Sequence, residues 1–343
     1  MVVREKFPGG ESVVDAGLLV TTRSAYSRSK LEQLSERLAN LPEPATYPGL
    51  AIYAVGSYGR EEASEFSDLD LFFLSTVAKQ DVRDPRTRQL RLFSNIIDIT
   101  DQMRFPKFSN DSEFLVILDT KELLAKLGSR SDDLENYFTA RMLLLLEGRC
   151  LYGIDTYDSL TKDIIESYFR DYHDHPSTFQ PMFLLNDICR FWKTMLLNYE
   201  NRRNVPPGVD DVDRKKIRQK VRNFKLKYSR MTTCFASIAA LGSHAELKQE
   251  DVFQFTKLSP QLRIAGVVER VPEARDAVRD LQQRYEWFLE MTGLPTEQLE
   301  MKFADPQKRT EMFQRAVEYG DSMYRLLQVI DQRRSGLLRT LVI

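Results

Sequence analysis

The sequence predicts an α+β fold, a small mixed-sheet domain followed by an α-helical domain, and three observations predict it. Residues 50–55 are a short apolar run of strand length that ends at a glycine, and residues 69–74, apolar apart from Asp70, read as a second strand. A third such run, 113–118, follows a helix-length stretch of helical period, so strand and helix alternate in the first third of the chain. Beyond residue 132 strand signals all but vanish, while apolar residues recur at helical spacing over long segments.

Residues 1–23 read as a weakly specified lead-in. From Ser24 to about Asn40, Leu31, Leu34, Leu38 and Leu41 recur at helical spacing, and Pro42 and Pro44 stop the pattern. Leu50 to Val55 is a buried-strand pattern ending at Gly56, and Leu69 to Leu74 reads as the second strand. Residues 86–103 return to helical period, with Leu90, Phe93, Ile97 and Met103 on one face, before Phe105-Pro106 breaks it. Glu113 to Leu118 is the third strand, and Lys121 to Leu127 a short helix closed by Gly128. Helical patterns then cover 138–146, 159–171, 180–200, 214–242, 274–291 and 308–337. The expected organisation is a lead-in at 1–23, an α/β domain at 24–130 and a helical domain at 131–343.

Composition excludes several classes. With 42% hydrophobic and 29% charged residues in 343, the chain suits two or three soluble globular domains. A formal net charge of −1 advertises neither nucleic acid nor membrane globally, so any basic surface is local. Cys150, Cys189 and Cys234 lie too far apart for a zinc spacing or a disulfide framework, which fits a reducing cytoplasm. No apolar run approaches the roughly 20 residues that span a bilayer, and the first residues lack a signal-peptide core. The expected location is cytoplasmic.

Chemistry concentrates in Val55-Gly-Ser-Tyr-Gly-Arg60 and Asp68-Leu-Asp-Leu-Phe-Phe73. Side chains alternate across a strand, so Asp68 and Asp70 project from one face. Two carboxylates on one face repel each other unless a cation lies between them. Mg2+ or Mn2+ suits them, because a hard cation takes oxygen ligands and fills its shell with water and phosphate oxygens. Gly56 lets the backbone approach a phosphate without a Cβ in the way. Ser57 adds a hydroxyl, and the following N–H groups form an anion cradle. Each piece alone is commonplace: an Asp-x-Asp pair is usually a solvated strand end, and Gly-Ser a plain turn. Their order and the eleven-residue step from Ser57 to Asp68 make the combination selective.

Gly-Ser-Tyr-Gly-Arg-Glu-Glu followed by Ser67-Asp-Leu-Asp-Leu resembles the signature of the nucleotidyltransferase superfamily that includes DNA polymerase beta. Within it, Tyr58-Gly59-Arg60-Glu61 and Ser67-Asp68 resemble the branch containing the uridylyltransferase of the PII signalling protein. Phe138-Thr-Ala-Arg141 and Glu147-Gly-Arg-Cys-Leu-Tyr-Gly153 are similar to that branch too, so the likeness covers roughly residues 50–155.

The resemblance implies a nucleoside triphosphate substrate, metal held by three carboxylates, attack by a hydroxyl on the α-phosphorus, and pyrophosphate release. On that reading Asp68 and Asp70 ligate the metal while Gly56 and Ser57 hold the triphosphate. Arg60 has two readings, contact with the phosphates or an ion pair with Glu61 or Glu65. The third carboxylate is expected at Glu113, with Asp111 and then Asp119 as alternatives. Around Phe105-Pro-Lys107-Phe-Ser109 the chain departs from the pattern, and a lysine in the acid position would leave a non-catalytic member. The helix Asn186 to Lys193 sits where relatives place nucleotide-contacting helices, which makes Lys193 a candidate.

Residues 214–230 hold nine Lys or Arg with Phe224 and Tyr228 interleaved. Arg222, Lys225 and Arg230 are candidates for triphosphate or acceptor contact, and the remainder reads as a solvated face paired with Asp210, Asp211 and Asp213. His173-Asp174-His175 reads as a loop cluster, because a histidine-aspartate hydrolase needs more ligands than the one other histidine, His244. The expected reaction is metal-dependent transfer of a nucleoside monophosphate to a hydroxyl of a protein or RNA acceptor. Its rivals are a nucleotide second-messenger synthase and a non-catalytic nucleotide- or partner-binding pseudoenzyme. The amphipathic stretch 308–337 suits either packing on the core or homo-oligomer formation.

Overall fold

The computed structural model describes residues 2–7, 10–15, 17–47, 49–77, 82–108, 115–174, 179–203, 212–333 and 336–341. It divides into two compact units, one formed by Thr22–Asp174 with Gln249–Ser259, the other by Met1–Thr21, His175–Lys248 and Pro260–Ile343. The boundary therefore differs from the expected break at 130. The sheet unit runs on to 174, because its fourth strand and the two helices flanking that strand follow residue 131.

The first elements in the chain are β1 (Val2–Phe7) and β2 (Gly10–Asp15), an antiparallel hairpin where a lead-in was expected. Helix α1 (Leu18–Ala39) buries Leu31, Leu34 and Leu38 at the spacing read from the sequence. Strand β3 (Leu50–Val55) is buried at all six positions, as its unbroken apolar run demands. A one-turn helix at Gly56–Gly59 follows, and then β4 (Asp70–Ser75) pairs antiparallel with β3, Val55 opposite Asp70.

Helix α2 (Pro85–Gln102) buries Leu92, Phe93, Ile96 and Ile99; Leu90 is 60% exposed, so the apolar stripe is rotated from the expected one. The helix supplies the crossover that lets β5 (Ile117–Asp119) run parallel to β4. After α3 (Thr120–Ala125) and the almost wholly buried α4 (Tyr137–Glu147) comes β6 (Arg149–Tyr152), antiparallel to β3. The sheet is thus mixed, in the order β5-β4-β3-β6, as the fold class required. Leu34, Leu38, Ile52, Leu71, Phe73, Leu92 and Ile96 form the core on one face. On the other, Tyr53 packs against Phe72 and against Tyr157 of α5 (Ile154–Ser167).

The helical unit contains α6 (Met182–Arg203), α7 (Val212–Lys225) and α8 (Met231–Gly242), the last two joined by a π-helical turn at Leu226–Arg230. Helix α9 (Gln249–Lys257) belongs to the sheet unit, where it packs on α4 and α5. The helical unit resumes with α10 (Pro260–Arg270), α11 (Arg275–Thr292), α12 (Thr296–Ala304) and α13 (Pro306–Arg333). Its centre is aromatic: Tyr228 stacks between Phe288 at 4.7 Å and Tyr319 at 4.6 Å, with Phe224 beside them. Met312, Ala316, Tyr319, Met323 and Ile330 bury the apolar face of α13 inside this unit, where it packs on α11. Among the described residues no helix is long and apolar enough to cross a membrane.

Candidate active site

The site candidate lies at one end of β3 and β4. Leu69 and Leu71 are buried in the core, and Asp70 opens β4 between them, half-buried; Asp68 lies just before the strand and is exposed. Antiparallel pairing sets Asp70 opposite Val55, the residue before the glycine turn, and so brings carboxylates and turn together. Gly56 adopts φ +70°, a left-handed conformation open to glycine. A Cβ built on it would lie 2.6 Å from Asp70 Oδ2. The space that glycine was expected to leave for a phosphate is thus occupied in part by a site carboxylate.

The turn itself is braced from below. The Gly56 N–H donates to Glu147 Oε1 at 2.9 Å, and Arg60 Nη1 donates to Glu147 Oε2 at 2.8 Å. Arg60 Nε donates to Glu62 Oε1 at 2.7 Å. These partners replace both expected readings of Arg60: its guanidinium is buried and given over to Glu62 and Glu147, rather than turned to phosphates or paired with Glu61 or Glu65. The residue before the one-turn helix, Val55, offers no side-chain cap, and Glu147 takes the first N–H instead; among the described residues the Ser57 hydroxyl has no hydrogen-bond partner.

Glu61 leaves the turn at φ +61°, strained for a residue with a Cβ, and is buried. Its carboxylate accepts from Ser24 Oγ at 2.8 Å, Arg28 Nε at 2.9 Å and Arg149 Nε at 3.0 Å. Burial pushes the Glu61 carboxyl up, but Arg149, Arg28 and the Ser24 hydroxyl outweigh it and hold it below the ordinary glutamate value. Burial, then Tyr26 and Asp68, push the Tyr58 hydroxyl far above its usual range.

Of the remaining candidates, Glu113 and Asp111 lie outside the described residues. Asp119 is corrected: it pairs with Ser75, the far end of β4 from Asp70, roughly 16 Å along the strand. Its carboxylate instead accepts the Lys121 N–H and caps α3. Lys107 is exposed and sits on no strand. Among the described residues no group of three or more His, Cys, Asp or Glu converges as a metal site. Lys193 on α6 and Arg222 and Lys225 on α7 are exposed and belong to the helical unit, so the sheet unit by itself does not bring them to the turn. Arg230 lies in the π turn of the same unit. Arg214 and Arg218 both pair with Glu300, and Lys216 with Asp213, the solvated-face pattern. His173 packs edge-on against Tyr172, and His175 lies outside the described residues.

Glu147, Glu62 and Arg149 were missed from sequence. Glu147 stands 91 residues from Gly56, and only the likeness of Glu147-Gly-Arg-Cys-Leu-Tyr-Gly153 to relatives marked its neighbourhood. Arg141, in the other quoted likeness, is a buried anchor. Its guanidinium grips Asp132 at 2.9 and 2.6 Å and also bonds Tyr168 Oη and the Leu123 carbonyl.

A family model described as a nucleotidyltransferase domain matches residues 31–110. The matched segment holds Gly56, Ser57, Arg60, Asp68 and Asp70, ends before Asp111 and Glu113, and singles out no branch of the superfamily. No curated protein and no solved structure gives a match to the chain.

Proposed function

We propose that the chain, whose residues 31–110 match the model of a nucleotidyltransferase domain, transfers a nucleoside monophosphate from a nucleoside triphosphate to a hydroxyl of a protein or RNA acceptor. One observation carries the reading: β-pairing sets Asp70 opposite Val55, so the glycine turn and the Asp68/Asp70 carboxylates share one strand end. Asp68 and Asp70 offer only oxygen donors, and they stand as like charges on one face, the donor set a hard divalent cation needs. Mg2+ or Mn2+ held there supplies charge neutralisation at the phosphates and lowers the pKa of the attacking hydroxyl. Glu113, or Asp111, is the third ligand in this proposal.

The chain's own groups do the rest. The Ser57 hydroxyl, with no partner among the described residues, donates to a phosphate oxygen. The backbone N–H groups that follow Gly56 add partial positive charge where the polyphosphate lies, while the Gly56 N–H itself is held by Glu147. Arg60 acts beneath the turn, through Glu147, and not on the phosphates. Holding triphosphate and acceptor in line supplies most of the rate in such a site.

The test is to incubate the full chain with each α-labelled triphosphate, with and without cell extract. Label in a protease-sensitive product names a protein acceptor, and label in a ribonuclease-sensitive product names RNA. Label in a small nucleotide product formed without extract marks a second-messenger synthase. Triphosphate binding without any transfer marks the pseudoenzyme.

A further inference from the structure

Resting on the nucleotidyl-transfer reading, we propose that Glu147 is a positioning residue, which sets the triphosphate-binding turn from beneath without touching substrate. Three contacts converge on this one residue. Its carboxylate is 0% exposed and splits its two oxygens between the Gly56 N–H and the Arg60 guanidinium. Its main-chain oxygen lies 2.0 Å from where a Cβ on Gly59 would stand, so residue 59 must be glycine for the turn to sit this close. Glu147 therefore touches the first residue of the turn, the last, and the one after it. The next strand adds a second brace, since Arg149 on β6 reaches Glu61, the strained residue at the turn's exit, at 3.0 Å.

This arrangement is costly as a mere stabiliser. A buried ion pair seldom outperforms an apolar pair of similar volume, because both charges must be stripped of water. What the carboxylate supplies is geometry. It fixes the backbone of Gly56, and with it the direction of Ser57 and the space left for Asp70. The residue lies outside the matched segment, which ends at 110. The matched domain thus depends on a side chain contributed from the end of α4.

The experiment is steady-state pyrophosphate release by the full chain, comparing wild type with Glu147→Gln, Glu147→Gln/Arg60→Gln and Arg149→Lys, with thermal unfolding of each. Glu147→Gln keeps an acceptor for Gly56 but turns an N–H toward Arg60. The KM for triphosphate is expected to rise about tenfold or more. The half-saturating Mg2+ concentration should move less than the KM for triphosphate, because Asp68 and Asp70 keep their side chains and only the space beside Asp70 changes. In the double variant two neutral amides pair, and KM should return to within about threefold of wild type. Arg149→Lys keeps the charge beside Glu61 and loses the fixed fork, so a smaller rise of about threefold is expected. This milder variant carries the test if Glu147→Gln fails to fold.

A purely structural residue would lower the active fraction, so Vmax would fall while KM stood unchanged in all three variants. That result overturns the positioning role and leaves the nucleotidyl-transfer reading intact. No turnover by wild type itself would instead count against that reading, and this assignment would fall with it.

Discussion

Gly56 combines a left-handed backbone with an Asp70 oxygen 2.6 Å from the position of its missing Cβ. Gly56→Ala is therefore expected to cost about 1–2 kcal/mol from backbone conformation alone. It should also displace Asp70, so that pyrophosphate release falls by more than the folded fraction does; urea unfolding and turnover measured on one preparation separate the two. Glu61 supports a pH prediction. Its folded pKa lies below the ordinary glutamate value of about 4.3, so the stability it contributes is complete above that value. The contribution is lost as pH falls through the lower folded value. Glu61→Gln should cost about 2–3 kcal/mol at pH 7, and its gap from wild type should narrow steadily below pH 4 in urea melts. At this scale Asp68, Asp70, Gly56 and Ser57 were legible because residue type and spacing suffice for them. Glu147 was not, since only tertiary pairing places it under a glycine 91 residues away.

Among the elements, β3 was legible because all six of its residues are apolar and buried. Strand β6 was not: Arg-Cys-Leu-Tyr is four residues long, with one fully buried position, too short for any alternation to register. The α2 stripe was misplaced by using Leu90, which faces water, where Leu92 and Ile96 face the core. The helices α9, α10 and α12 are not among the helical stretches read from the sequence. Helix α4 is held by the buried Asp132–Arg141 pair. Removing one partner leaves an uncompensated charge, so Asp132→Ala should cost about 3–5 kcal/mol. Asp132→Leu/Arg141→Met should recover most of that loss in equilibrium unfolding, since the apolar pair needs no desolvation.

Taken whole, the molecule interleaves its two units along the chain, with α9 returning to the sheet unit after α6, α7 and α8 have left it. Arg149 donates to the Thr256 carbonyl at 3.2 Å, and Lys257 pairs with Asp158, so α9 is fastened beside the braced turn. A fragment of residues 22–174 is expected to melt at a lower temperature than one in which 249–259 is rejoined by a flexible linker. A simple two-domain reading at residue 130 missed this because composition changes there while connectivity does not. The α+β class was legible from the strand-length runs and the helical period that follows them, and the likeness of residues 31–110 to a nucleotidyltransferase domain from the glycine turn and the Asp-x-Asp pair. The most direct test of the nucleotidyltransferase account is Mg2+-dependent pyrophosphate release from the four nucleoside triphosphates by wild type and by Asp68→Asn/Asp70→Asn. The account predicts release by wild type with one preferred base, and a fall of about a hundredfold or more in the double variant. Equal release from both proteins, or triphosphate binding by wild type with no release under any condition, would contradict it.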